Sequence, residues 1–143
     1  MNDIYIHALK LLRKRDYTVW ELREKIEARF HEIPDEIIDR LIQKNFLNDR
    51  RFTENYVARR QYQGKALLRE ELTSRGVASD LIDEILSKTA WPSLQEALAD
   101  KMNGWKLGAP LQPRDATRLF RALLRLGYDE DAVREEIEQL REP

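Results

Sequence analysis

The 143-residue chain contains no cysteine, only two histidines and no long apolar run. The lack of cysteine excludes disulfides and thiolate metal sites, and it is typical of proteins in a reducing compartment. The longest fully apolar runs are only a few residues, so no transmembrane segment is predicted, and the N-terminal residues lack the apolar stretch of a signal peptide. We therefore expect a cytoplasmic protein without contact to a membrane.

The sequence also lacks a constellation typical of an active site or a metal centre. His7 and His31 fall on different predicted elements and do not have metal-ligand spacing. The acidic pairs fit helix capping and solubility, because no partner or pocket that would shift a carboxyl pKa can be identified. Gly64 and Lys65 lack the preceding glycine pattern of a phosphate-binding loop. We expect no catalytic residue, no cofactor and no metal, and a protein that is not an enzyme.

Net charge is close to zero, because 25 Lys and Arg residues face 26 Asp and Glu residues. This balance argues against a polycation that simply coats DNA. The basic residues are nevertheless concentrated locally, and residues 49–75 hold seven Lys or Arg against four Asp or Glu. Particular helices, rather than the whole chain, are therefore the candidates for binding an anionic partner.

Apolar residues recur three and four positions apart along the chain, and period-two alternation is absent, so the fold class is predicted to be all-α. Thr18 with Glu21 is a capping box that opens the second helix. Asn48 or Asp49 can cap the fourth helix, which we expect to run to about Gly64. These signals predict short helices joined by short connections.

The helical pattern occurs three times. The middle helix of the second repeat contains Leu68, and its counterparts contain Leu22 and Leu119. The third helix of the first repeat is expected to bury four residues: Ile37, Ile38, Leu41 and Ile42. The predicted repeats span residues 1–46, 47–90 and 91–143. Because units of this size gain stability by packing on their neighbours, we predict three tandem three-helix repeats that form an elongated, curved body.

A row of arginines follows one face of the middle helix of the third repeat. It consists of Arg114, Arg118, Arg121 and Arg125, at steps of four, three and four. Asp115 is the only acid between Arg114 and Leu126, and like charges at this spacing repel by a few tenths of a kcal/mol per pair. A solvated helix face and a binding surface both remain open interpretations. Helix-borne arginine can meet phosphate or carboxylate bidentately, so DNA and an acidic protein surface are both candidate partners.

A second basic patch lies in the predicted second repeat. Its members are Arg50, Arg51, Arg59, Arg60, Lys65, Arg69 and Arg75. Glu70 and Glu71 interrupt this patch, so part of it can be engaged in internal ion pairs, which contribute little at a surface. Trp91 and Trp105 flank the first helix of the third repeat, where core or inter-repeat packing is favoured over the anchoring of a partner.

Three stretches of the sequence, residues 8–22, 47–52 and 64–77, together resemble the RecX family, the regulatory proteins of bacterial RecA recombinase. Residues 47–52, Leu-Asn-Asp-Arg-Arg-Phe, are similar to the family's Leu-Asp-Asp-x-Arg-Phe, with Asn48 where the family usually has Asp and Asp49 keeping the acidic cap. Residues 64–77 are similar to its Gly-x-x-x-(Ile/Leu)-Arg-x-Glu-Leu-x-x-(Arg/Lys)-Gly-(Ile/Val). Residues 8–22 resemble the family's first repeat. The resemblance covers about residues 4–141, and the third repeat matches in outline.

The resemblance implies a modulator that lies in the helical groove of the RecA filament on single-stranded DNA. Proteins similar to this chain inhibit the ATPase, strand-exchange and co-protease activities of RecA and have no catalytic centre of their own. We expect a monomer whose arginine row and second basic patch face the filament and touch acidic protein surface or DNA. The alternatives are a helix-turn-helix-like DNA-binding module, against which the near-neutral charge argues, and a structural adaptor that binds neither.

Overall fold

The computed structural model describes residues 2–141, and this part of the chain forms nine α-helices. Their bounds are α1 Asn2–Lys14, α2 Val19–Phe30, α3 Asp35–Gln43, α4 Asp49–Arg59, α5 Lys65–Ser74, α6 Ser79–Lys88, α7 Leu94–Gly104, α8 Pro113–Arg125 and α9 Glu130–Glu138. Extended pairing within residues 2–141 is limited to one isolated bridge between Leu111 and Arg141. The prediction of an all-α fold is confirmed. None of the described helices is long and apolar enough to cross a membrane.

The helices belong to two compact units. The first unit contains the chain up to Arg59 together with Arg69–Lys88, and the second contains Arg60–Leu68 together with the chain from Thr89 onward. Helix α5 therefore contributes to both units. The three repeat boundaries and the elongated, curved body stay predictions.

Both units contain an apolar core, and in the first unit helices α1, α2 and α3 and the loops beside them form it. In the first unit this core contains Ala8, Tyr17, Leu22, Ile26, Ile33, Ile37, Ile38, Leu41 and Leu47. In the second unit it contains Ala97, Leu98, Leu111, Ala116, Leu119, Leu123, Val133 and Ile137. Full burial of a Leu or Ile side chain stabilises the folded state by about 1.5–3 kcal/mol, so these positions fix which face of each helix remains outside.

Two details of the predicted helices are wrong. Helix α4 ends at Arg59 rather than near Gly64, because the chain leaves helical geometry at Arg60 and makes a 3₁₀ turn over Gln61–Gln63. Ile42, predicted to be buried, is 45% exposed. It follows the fully buried Leu41 and is therefore rotated by about 100° around the helix axis, in the last turn of α3.

The start of α2 is fixed by hydrogen bonds from distant parts of the first unit. The capping box is present: the Thr18 hydroxyl accepts from the Glu21 N–H at 3.0 Å, and the Glu21 carboxylate accepts from the Thr18 N–H at 3.0 Å. The Thr18 hydroxyl also donates to the backbone carbonyl of Arg75 at 2.6 Å. The side chain of Thr18 is fully buried, so this one residue ties α2 to the end of α5.

The structure decides between the two residues predicted as possible caps of α4, in favour of Asn48 over Asp49. Asn48 accepts from the Arg51 N–H at 3.0 Å and is the residue that caps α4. The Asp49 carboxylate instead accepts from the N–H of Val19, the first residue of α2, at 2.9 Å. The Asp49 carboxylate therefore accepts a hydrogen bond at the start of α2, 30 residues earlier in the chain.

At pH 7 we expect the free energy of unfolding of Asp49→Asn to lie within about 0.5 kcal/mol of the wild-type value. That of Asp49→Ala should be lower by about 1 kcal/mol. The asparagine keeps an oxygen that accepts from Val19, whereas alanine does not. Burial, followed by the charges of Glu21 and Asp16, raises the pKa of Asp49 above its usual 3.8 despite the Val19 hydrogen bond. The raised pKa means that the folded chain holds the proton more tightly, so burial of the charge costs stability at neutral pH.

That cost is relieved as the pH falls through the raised pKa toward 3.8, and the wild type should gain stability relative to Asp49→Asn over this interval. Urea unfolding of the three proteins at pH 7 and near pH 4 measures both effects. Equal stability of the alanine and asparagine variants at pH 7 would show that the hydrogen bond to Val19 contributes nothing.

Candidate functional site

The arginine row lies on α8, whose sequence sets its start and its inner face. Gln112 is the N-cap, Pro113 occupies the first turn and Asp115 supplies an acid where the helix dipole favours one. The buried side chains all lie on the opposite face from the arginines: Ala116, Leu119 and Leu123. The packing of this apolar face against α7 and α9 leaves the arginine face outside.

The four arginines line an open groove of about 740 Å³ along the outer face of α8. All four are exposed, and Trp105 forms part of the same groove. The guanidinium of Arg118 lies 3.7 Å from the centre of the Trp105 ring, a cation–π contact that joins the arginine row to the indole. The groove therefore combines positive charge with an aromatic surface.

Positive charge on this groove is poorly balanced. The side chain of Arg114 is 89% exposed, and its distance to the Asp115 carboxylate is 3.9 Å. Within residues 2–141, neither Arg121 nor Arg125 has a carboxylate within 4 Å. Because the four charges repel one another along the helix, an anionic partner would relieve the repulsion.

The second basic patch has a different environment, because four of its arginines pair with carboxylates of the first unit. The pairs are Arg50 with Glu84, Arg51 with Asp16, Arg69 with Asp83 and Arg75 with Glu21. Arg51 also donates to the carbonyls of Asn45 and Phe46, at 2.8 and 3.3 Å. These guanidinium groups are engaged in holding α4, α5 and α6 to their neighbours.

Arg75 is a partly buried member of the second basic patch. It donates to the Glu21 carboxylate at 2.7 Å and lies 5.0 Å from the centre of the Tyr56 ring. The Tyr56 hydroxyl donates to the Glu71 carboxylate at 2.6 Å. Burial, and then this hydrogen bond to an anion, raises the pKa of Tyr56. The tyrosine therefore remains a neutral donor at physiological pH, and the cluster stabilises the first unit.

Three members of the patch remain: Arg59, Arg60 and Lys65. Arg59 is exposed at the end of α4, and Arg60 is half-buried after it. Lys65, in the second unit, lies with its ammonium 5.7 Å from the centre of the Trp91 ring. The seven residues thus do not share one environment, although their role in binding stays a prediction.

Trp105 is a site residue that sequence reasoning did not select. The sequence favours core or inter-repeat packing for this residue, whereas the structure places it half-buried at the border of the arginine groove. Lys101, four residues earlier, lies 5.6 Å from the centre of its ring. A lysine four residues before a tryptophan at a helix end was the available signal, because residues at that spacing share a helix face.

The arrangement offers charge and aromatic surface for binding. Guanidinium groups in a row can bind carboxylates or phosphates, often bidentately. Over residues 2–141, no group of three or more His, Cys, Asp or Glu is placed to hold a metal ion. The chemistry that the α8 groove supports is therefore the recognition of an anionic partner.

Comparison with known proteins connects this fold to one family. The family model described as RecX, second three-helix domain, matches residues 48–86. Regulatory protein RecX of Halorhodospira halophila is 34% identical over 131 residues, which cover 89% of this chain and 81% of the relative. Regulatory protein RecX of Trichlorobacter lovleyi is 33% identical over 147 residues and 96% of both chains.

The fold is also similar to a solved structure. The crystal structure of RecX from Lactobacillus salivarius superposes with a TM-score of 0.72 over 96% of both chains, at 20% sequence identity. That likeness shows a shared fold. The sequence identity to the two relatives extends over most of their length and shows common ancestry. Together with the resemblance of residues 47–52 and 64–77, these matches show that the chain belongs to the RecX family of regulatory proteins.

Proposed function

We propose that this chain binds the RecA recombinase filament on single-stranded DNA and inhibits its ATPase, strand-exchange and co-protease activities. Recombination and DNA repair, including the SOS response, would thereby be modulated in the cytoplasm. The chain acts as a monomer and contributes no catalytic group. Its α8 groove contacts the filament.

The single observation that carries this proposal is the poorly balanced arginine row on α8. Arg118, Arg121 and Arg125 are exposed and lie on the face opposite the core. Family membership supplies the regulatory role, and the row supplies a surface complementary to an anionic partner. Ion pairing inside the first unit makes the second basic patch a weaker candidate for the primary contact.

The proposal is tested by adding the protein to preformed RecA filaments on single-stranded DNA and measuring ATP hydrolysis. We expect hydrolysis to fall with increasing protein, since binding to the filament restrains it. The matched control is the same addition to an unrelated DNA-dependent ATPase, whose rate should not change. Undiminished RecA hydrolysis at saturating protein would refute the proposed function.

A parallel measurement on duplex DNA alone separates the rival function. A helix-turn-helix-like module would bind naked duplex DNA with a steep salt dependence and a sequence preference. The rival function would be favoured if the protein binds duplex DNA in this way and excess duplex competitor removes its effect on RecA. A protein that affects neither RecA nor DNA would be a structural adaptor.

A further inference from the structure

A second concave surface of the second unit is a cleft that the α8 groove does not include. Its volume is about 460 Å³, within the range of about 300–1,000 Å³ that is usual for small-molecule sites. The 3₁₀ turn, α7 and the end of α8 contribute its walls. The polar and aromatic side chains on which the inference depends are Tyr62, Lys65, Trp91, Asp100, Lys101 and Trp105.

The walls of the cleft pair aromatic rings with ammonium groups. Lys65 lies 5.7 Å from the centre of the Trp91 ring, and Lys101 lies 5.6 Å from the centre of the Trp105 ring. Both tryptophans are half-buried, whereas Tyr62 is 71% exposed. Tyr62 therefore presents a large accessible ring beside the cleft, on which a ligand with a flat face can stack.

Trp105 connects the cleft to the arginine row. Its ring lines both the cleft and the α8 groove, and the guanidinium of Arg118 lies on it at 3.7 Å. A ligand that extends from one surface to the other would therefore meet aromatic rings at one end and a row of positive charges at the other. A nucleotide chain has this composition, because its bases stack on aromatic rings and its phosphates pair with basic side chains.

We propose that the cleft binds a base of single-stranded nucleic acid, stacked on its aromatic side chains, while the adjoining phosphates lie along the arginine row of α8. A duplex does not fit this arrangement, since its bases are already paired and stacked. This site goes beyond the proposed function, because it binds nucleic acid directly and requires no recombinase.

Asp100 distinguishes a nucleobase from an acidic peptide. This exposed carboxylate lines the cleft, where it repels an acidic side chain but accepts a hydrogen bond from a base amino or imino group. An acidic peptide would match the arginine row alone and would leave the aromatic cleft without a partner. The observed combination of two lysines, one carboxylate and four aromatic side chains therefore favours the nucleotide.

The test compares two fluorescein-labelled 12-mers by anisotropy: single-stranded dT12 and an abasic strand with the same phosphates. We expect dT12 to bind roughly tenfold or more tightly, because stacking adds affinity for each base held. Tyr62→Ala should weaken dT12 binding about tenfold and leave the abasic strand unchanged. Since Tyr62 is exposed, this variant keeps the fold.

Phe46→Ala is the matched control, because Phe46 is a 43% exposed aromatic residue of the first unit and should not affect either strand. Lys101→Gln is a second cleft variant and should also weaken dT12 binding. Equal affinity for the two strands, or an unchanged affinity of Tyr62→Ala for dT12, would overturn the proposal. The proposal would also be overturned if a glutamate-rich 12-residue peptide displaced dT12 and Tyr62→Ala weakened the binding of that peptide. These assays contain no RecA, so their outcome is separate from that of the proposed function.

Discussion

Replacement of Arg118, Arg121 and Arg125 by glutamate is expected to abolish the inhibition of RecA ATP hydrolysis and to leave the helical circular dichroism intact. The three side chains are exposed, and the apolar face of α8 that holds the second unit together is not changed. The substitutions replace three positive charges that face an anionic partner with three negative charges. Because like charges across an interface cost several kcal/mol, affinity should fall roughly 100-fold or more.

A matched triple reversal on the first unit controls for net charge. Lys10, Lys14 and Lys25 are exposed on α1 and α2, and their change to glutamate alters the net charge equally. This control should inhibit RecA like the wild type. Inhibition by a folded α8 triple variant, or an equal loss in the control, would remove the α8 groove from the proposed interface.

The second large effect concerns Gly64, whose substitution by alanine should destabilise the second unit by about 3 kcal/mol. Its φ is +84°, with ψ 162°, a conformation almost confined to glycine. A Cβ at this position would lie 2.7 Å from the carbonyl oxygen and 2.9 Å from the Cα of Leu126. Both atoms are backbone, so they cannot rotate away as a side chain would.

Gly127 is the matched control, because it also has a positive φ but lacks the close contact that Gly64 makes. Its φ is +98°, and a Cβ there would meet no atom within 4 Å. Gly127→Ala should therefore cost only about 1 kcal/mol, the penalty for a left-handed L-residue. Urea unfolding of both variants measures the difference. If the two alanine variants have equal stability, the approach of Gly64 to Leu126 is not a constraint on the fold.

The cleft gives Gly64→Ala a second readout, because Gly64 and Leu126 both line it. Displacement of the 3₁₀ turn from the end of α8 would change the position of Tyr62 relative to Trp105. We therefore expect the folded fraction of this variant to bind dT12 more weakly than Gly127→Ala does.

The arginine row could be predicted from the sequence, whereas the state of the second basic patch could not. Helical periodicity alone places Arg114, Arg118, Arg121 and Arg125 on one face, since that face depends on spacing within one helix. The ion pairs of the second patch depend on distant residues. Arg50 meets Glu84 34 positions later, and Arg75 meets Glu21 54 positions earlier.

The same limit explains the two capping residues. The local spacing of Asn48, Asp49 and Arg51 is compatible with a cap from either of the first two residues. Only the tertiary arrangement places the Val19 N–H within 2.9 Å of the Asp49 carboxylate. Trp105 is a further case, because the contact with Arg118 joins the end of α7 to the middle of α8. Contacts between elements could not be predicted from the sequence, whereas the elements themselves were predicted apart from details such as the end of α4.

The hydrogen bonds at the start of α2 constrain how such a chain can change in evolution. Val19 N–H and the Arg75 carbonyl are backbone groups, and each is satisfied by a side chain from another helix, Asp49 and Thr18. Loss of either side chain would leave a backbone group at the start of α2 or just after α5 without this partner. Thr18 and Asp49 thus make the start of α2 depend on residues far away in the sequence, so a change in one segment of the first unit is felt in another.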